Sequence, residues 1–213
     1  RNAPECRVRV QAMGNGVDTD YFSVDDTRSS PFPPGELPVV FTGAMDYLPN
    51  VDAATWFASD VLPGLLQRWP AVRFYVVGRN PSAAVLALAS DRIVVTGTVD
   101  DVRPYLQHAA TVVAPLRIAR GIQNKILEAM AMGRPVIASA TCAAAVDAVA
   151  GQELLTATSP EEYIAAISQV LEAPETATAM GGAARQRVVE RYTWEAHMKA
   201  IDPYLPAPSL RET

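Results

Sequence analysis

Short β-branched runs alternating with helical segments constrain this chain more than any other feature. "PVVFTG", "VRFYVVG" and "RIVVTG" are continuous apolar runs, and each ends in glycine, at Gly43, Gly78 and Gly97. "ATVVAP", "PVIAS" and "ELLTA" follow as a fourth, fifth and sixth run. Strands that are apolar on both faces and separated by helices require a parallel sheet covered on both sides. A terminal glycine permits a tight turn and close backbone approach where strand meets loop. Ligands of open α/β sheets bind at those carboxyl ends.

The 213 residues, 49% of them hydrophobic, can bury a large core in one α/β domain with additions. A net charge of −5 argues against bulk attraction to nucleic acid and leaves room for a local basic pocket. Cys6 and Cys142 lie far apart, with no metal-ligand spacing and no disulfide framework, so a reducing cytosolic setting is expected. No apolar run is long enough to span a bilayer. The first residues, "RNAPECRVRV", lack the apolar core of a signal peptide and begin abruptly, which suggests a fragment.

Before the regular region come a short strand, "CRVRV", a turn-rich "MGNGVDTDYF", and a Pro, Ser and Asp-rich linker, "SVDDTRSSPFPPGELP". Asn50 is expected to cap a helix running through "VDAATWFASDVLPGLLQRW". Ser159, Pro160 and Glu162 spell a capping box with proline at the first helical position. Two more helices are expected over roughly 175–192 and 194–204, the second capped by Thr193.

The stretch "GIQNKILEAMAMGRPVIAS", residues 121–139, places charge where a buried helix is expected. On a helix starting near Gly121, Ile122, Ile126, Ala129, Met130 and Gly133 share one face, which should pack on the sheet. Gly121, Asn124, Lys125 and Glu128 share the other. A helix N-terminus offers unpaired N–H groups and partial positive charge. Gly121 would let a phosphate approach, and Lys125 adds a full charge one turn in, a combination suited to a diphosphate. Glu128 lies too deep for phosphate and suits sugar hydroxyls such as those of a ribose. Taken alone, Lys125 and Glu128 read instead as a surface salt bridge contributing about 0.2–0.5 kcal/mol. Arg117 and Arg120, in "PLRIARG", shift that balance, because three clustered cations repel one another unless an anion sits among them.

The same segment resembles the signature of family 4 of the GT-B-fold glycosyltransferases, in which a Glu-x7-Glu motif ends in "EAMA-x-G-x-PVIAS". "NGVDTDYF" resembles their interdomain segment. "VVFTGAMDYLPNVDAATWF", "FYVVGRNP", "VVTGTVDDVRPYL" and "ATVVAPL" resemble successive units of their donor-binding domain. The "PN-x-DA" and "GIQNK-x-LEAMA" spellings resemble a subgroup associated with bacterial exopolysaccharide and exosortase gene sets. The resemblance implies a Rossmann-like parallel sheet with helices on both faces and a helical C-terminal tail. It divides the chain into 1–36, the end of an N-terminal domain and linker; 37–192, the donor-binding domain; and 193–213, a crossover helix and tail.

The resemblance further implies retaining transfer from a nucleotide-diphosphate sugar, with no cofactor and no essential metal. The acceptor is a glycan or lipid-linked molecule engaged by the N-terminal domain. Glu128 matches the second motif glutamate, which holds the ribose. Gly121, Ile122, Gln123, Asn124 and Lys125 match the loop and helix start around the diphosphate and donor sugar. Gly97 and Val99 match the turn that reads the base. Gly43 and Arg79 complete the donor-binding candidates. A cytoplasmic location follows, with peripheral association at the inner membrane face as the variant for the full-length protein.

Two departures stand out. The first motif glutamate falls at Arg120, and "GAMDYLPN" lacks the usual arginine and lysine, with Met45 and Asn50 in that region. Arg117 and Arg120 are expected to supply positive charge from the other side of the cleft. Arg120 and Lys125 are the candidate catalytic groups, since cations aimed at the leaving diphosphate stabilise its developing charge. The paired carboxylates of glycoside hydrolysis are absent. A catalytic base, if one is needed, belongs to the N-terminal domain. His108 and His197 read as surface or capping residues, and Asp100 and Asp101 as caps. Trp56, Trp69, Trp194, Met130 and Met132 read as packing residues, and Cys142 as a small buried one. A GT-B nucleotide-sugar epimerase and a non-catalytic nucleotide-binding module are the competing readings.

Overall fold

The computed structural model describes residues 14–118 and 121–199. The expected strand "CRVRV", Arg120, Ile201 and Tyr204 lie outside them. Six strands form one parallel sheet: β1 (Leu37–Thr42), β2 (Val72–Val77), β3 (Ile93–Gly97), β4 (Thr111–Ala114), β5 (Val136–Ser139) and β6 (Leu155–Ala157). All six coincide with the apolar runs of the sequence. Their order is β3-β2-β1-β4-β5-β6, with Val40 beside Tyr75 on one side and Val112 on the other. Strand order reverses between β1 and β4, and the loops at such a switch point part to leave a crevice.

Helices α1 (Leu48–Trp56), α2 (Leu62–Arg68), α3 (Ala83–Leu86), α4 (Arg103–Gln107), α5 (Asn124–Ala131), α6 (Ala140–Ala143), α7 (Pro160–Glu172), α8 (Pro174–Arg191) and α9 (Trp194–Lys199) surround the sheet. The helix expected to run unbroken from Asn50 is interrupted by a wide π turn at Phe57–Val61. There the Leu62 N–H reaches back to the Phe57 carbonyl. The turn falls where the ring of Pro63 would otherwise press on the carbonyl four residues earlier. Asn50 is not the cap. Tyr47 occupies that position, and Asn50 sits buried inside α1.

Phe57 packs on Phe74 at 4.5 Å between ring centroids and meets Tyr163 edge-on, joining the π turn, β2 and α7. On α5, Ile126, Leu127, Ala129 and Met130 are fully buried. At its end, a Cβ on Gly181 of α8 would fall 2.0 Å from the Gly133 carbonyl oxygen, so glycine lets α8 close against that turn. The Ser159 capping box is formed in full, and Thr193 accepts the Ala196 N–H.

Residues 14–36 contain no helix or multi-residue strand and lie along the domain. Arg185 of α8 donates to the carbonyls of Thr19, Phe22 and Ala131. His108 and His197 bond the carbonyl oxygens of Arg28 and Asn15, so both histidines fix this segment. Trp194, expected to pack, is 52% exposed, and Met198 is 58% exposed. The Trp194 ring nonetheless lies so close to Gly16 that a Cβ there would approach it to 2.9 Å.

Candidate functional site

Each strand of the β3-β2-β1-β4 half ends at one edge of the sheet, and the sequence candidates gather along it. Gly97 ends β3 and Val99 follows it, Arg79 follows β2, Gly43 follows β1, and Arg117 and Gly121 lie in the loop between β4 and α5. Gly97 and Gly121 have φ of +68° and +72°, with open space where a side chain would stand. The Arg79 carbonyl receives the Met45 N–H at 2.8 Å, and its exposed guanidinium has no hydrogen-bond or ion-pair partner among the described residues.

The helix carrying the charged motif starts three residues later than expected. Gly121 is left-handed and Gln123 is extended, so Asn124 is the first helical residue, and among the described residues no side chain caps the end. Gln123 donates to the Gly121 carbonyl oxygen at 3.3 Å. Asn124 accepts from Asn15 at 2.9 Å, and the Ile122 side chain faces Gly14. The "NGVD" segment thus braces the start of α5.

Lys125 turns inward. Its Nζ donates to Asn50 Oδ1 at 2.5 Å and lies 4.3 Å from the centre of the Phe41 ring. Burial pushes its pKa down to about 7, against the opposing pull of Glu128 and Cys142. Burial also raises the Glu128 carboxyl above its usual range, with Lys125 acting in the other direction. The two do not form an ion pair, so the surface salt bridge that their spacing allowed is not formed. Among the described residues the Glu128 carboxylate has no hydrogen-bond or ion-pair partner.

Arg117 is not waiting for an anion. It grips Asp52 with Nε to Oδ2 at 3.0 Å and Nη2 to Oδ1 at 2.5 Å, and lies 5.4 Å from the Trp56 ring centre. The Asp52 bond raises its pKa. The expected three-cation cluster therefore already contains a carboxylate. Arg120 lies outside the described residues. Asp101 is not the cap of α4, whose N-cap position is Val102; from the residue before, it accepts the Arg103 N–H at 2.9 Å and pairs with the Arg103 guanidinium.

Asn50, Asp52 and Phe41 are the site residues that sequence reasoning missed as partners. Asn50 and Lys125 are 75 residues apart, as are no two positions linked by a helical or strand period. A hollow of about 510 Å³ beside α9 is lined by Asp18, Asp20, Glu190 and Glu195, with Lys199 as its one lining cation, and such a surface repels a diphosphate. Among the described residues no three His, Cys, Asp or Glu side chains are grouped to hold a metal ion, and no helix is long and apolar enough to cross a membrane.

The open six-stranded parallel sheet with helices around it, its strand order reversing between β1 and β4, defines a Rossmann-like α/β domain. The family model for glycosyl transferases group 1 matches residues 36–173, well over half the chain. The chain belongs to that family. Its fold is similar to Anabaena Alr3699/HepE in complex with UDP, with TM-score 0.77 and 16% identity over 91% of this chain and 56% of that one. It is also similar to sucrose-phosphate synthase from Thermosynechococcus elongatus (TM-score 0.67, 23% identity, 89% and 50% covered). WaaG, a glycosyltransferase involved in lipopolysaccharide biosynthesis, gives TM-score 0.67 and 17% identity, with 94% and 57% covered. The chain thus spans about half the length of these structures. No curated protein matches it in sequence.

Proposed function

We propose that this chain is the donor-binding half of a retaining glycosyltransferase, which takes a sugar from a nucleotide-diphosphate sugar and passes it to a glycan or lipid-linked acceptor. The observation that carries the reading is the placement on one short helix at the switch point of Lys125 and of Glu128, whose carboxylate has no hydrogen-bond or ion-pair partner among the described residues. A diphosphate would rest against Lys125 and the uncapped N–H groups at the start of α5. The ribose hydroxyls would donate to Glu128, one turn deeper. The backbone at Gly97 to Val99 would border the base.

Breaking the anomeric bond leaves negative charge on the departing diphosphate and positive charge on the sugar ring. Lys125, once protonated, and the α5 dipole stabilise the first without rearranging. The side chains assigned here supply no nucleophile for a glycosyl-enzyme intermediate, which favours retention by same-face attack. The chemistry is proposed to need no resident metal, because protein cations carry the counter-charge. The "PN-x-DA" and "GIQNK" spellings support a place in exopolysaccharide assembly, within the exosortase-associated subgroup and at the cytoplasmic face of the membrane.

HepE was crystallised with UDP and with UDP-glucose, so uridine nucleotides head the test. A thermal-shift panel of nucleoside diphosphates should raise the melting temperature for at least one base, because a ligand of the folded state stabilises it by mass action. A flat response across UDP, GDP, ADP, CDP and dTDP would overturn the reading. Epimerised free nucleotide sugar, in place of transferred sugar, would support the epimerase alternative.

A further inference from the structure

We propose that Asn50 is the positioning residue for Lys125: its neutral amide fixes the ammonium at the switch-point crevice while leaving that charge for a diphosphate. The inference rests on the donor-site reading and adds a residue to it.

Asn50 is 5% exposed in the first turn of α1. Its Nδ2 donates to the Ala44 carbonyl oxygen at 2.8 Å, and its Oδ1 accepts from Lys125 Nζ at 2.5 Å. These partners settle the orientation of the amide. Turned over, it would set oxygen against a carbonyl oxygen and NH₂ against an ammonium. The amide is therefore a two-ended strut between the loop after β1 and the helix after β4. Gly43 makes room for it, since a Cβ there would fall 2.6 Å from Asn50 Nδ2 and 2.9 Å from Lys125 Nζ. Phe41 supplies the floor of the slot.

The choice of an amide has a chemical consequence. An aspartate at this place would pair with the ammonium and compete with an incoming phosphate. An apolar side chain would leave the buried ammonium without its hydrogen-bond acceptor and the Ala44 carbonyl with only the longer bond from the Tyr47 N–H, at 3.3 Å. Asparagine alone of the three holds the amine and keeps it available. The titratable groups facing Lys125 are Glu128 on its own helix and Cys142 on α6. The slot also suits an ammonium better than a guanidinium, whose planar fork is broader. The sequence contains only two lysines, Lys125 and Lys199.

Those two lysines make the test direct. Protein labelled with ¹³C-lysine shows two ε-carbon signals, and the one from Lys125 is assigned with Lys125→Met. In the unsubstituted chain, the Asn50 side-chain amide signals should move with the same midpoint as Lys125. In Asn50→Asp, the Lys125 midpoint should rise by about one pH unit or more, and pyrophosphate and UDP affinity should fall about tenfold. Uridine affinity should hold. A merely structural Asn50 would lower the melting temperature and leave the Lys125 titration unmoved. That result, or Asn50 signals blind to the titration of Lys125, would overturn the proposal, and the second readout needs no variant to fold. If the Lys125 signal follows Asn50 but neither pyrophosphate nor UDP binds, positioning of the amine stands and the donor-site reading fails.

Discussion

Arg117 and Asp52 face each other across the switch point and are joined by two hydrogen bonds, from Nε at 3.0 Å and from Nη2 at 2.5 Å. The pair ties the loop after β4 to α1, two residues beyond the Asn50 strut. It also matches the charge of Arg117 before any ligand arrives. Asp52→Asn should release that charge. The Arg117 side chain is 48% exposed, so stability should change by less than about 1 kcal/mol. Nucleoside diphosphate affinity should rise a few-fold, with a steeper loss on added salt. Calorimetry at two ionic strengths checks this. A fall in affinity would mean that Arg117 serves only when Asp52 orients it.

Glu128 and Lys125 should be separable parts of one site. Glu128→Gln keeps the shape and removes a charged acceptor, and a hydrogen bond to a charged group contributes about 1.5–3 kcal/mol. Uridine and UDP affinity should then fall together. Lys125→Met should weaken UDP, much less UMP, and leave uridine nearly unchanged. Equal losses across the three ligands for Lys125→Met would reject its phosphate assignment.

The sheet was legible in the sequence because its signal is local. Val39, Phe41, Phe74 and Val113 belong to unbroken apolar runs, and glycine marks where the first three strands stop. Glu128 and Lys125 were legible as well, since two charges inside an apolar helix demand an account. Their partners were not. Asn50 reads locally as a cap, and only the pairing of β1 with β4 brings it to Lys125. Nothing local marks Asp52 as the partner of Arg117, 65 residues further on. Helix α5 starts three residues past Gly121, whose φ of +72° belongs to a turn that the residue types alone do not distinguish from a helix start. The π turn at Phe57–Val61 was hidden by an intact apolar pattern, although Pro63 marked the place.

Gly78 should tolerate nothing larger. Its φ is +155°, and a Cβ would fall 1.7 Å from the Gly43 carbonyl oxygen, so the loops after β1 and β2 touch backbone to backbone. Gly78→Ala must move one loop and should cost at least about 3 kcal/mol. For a domain of this size that lowers the melting temperature by about 6 °C or more. Gly151→Ala is the control, because φ is +84° there and the space is open. It should cost about 1–2 kcal/mol, from backbone conformation alone. Equal losses in the two variants would remove the contact from the explanation.

Lys125 should also leave a signature in the pH dependence of stability. Its folded pKa lies near 7, below the ordinary lysine value of 10.5, because burial disfavours the charged form. Below pH 7 both folded and unfolded chains hold the proton, and the full cost of burying the charge is present. Between pH 7 and 10.5 the unfolded chain holds a proton that the folded chain has released, so stability from this group rises with pH. Urea unfolding from pH 6.5 to 9.5 should show that rise, and Lys125→Met should flatten it by the share Lys125 contributes. Saturating UDP should act the same way from the other side, since a bound diphosphate holds Lys125 protonated and lifts its folded pKa back toward the unfolded value. UDP binding near pH 8 should then take up a proton, visible as a dependence of the calorimetric heat on the ionisation enthalpy of the buffer. Heats that do not vary among buffers, together with an unchanged stability slope in Lys125→Met, would show that the amine is charged throughout.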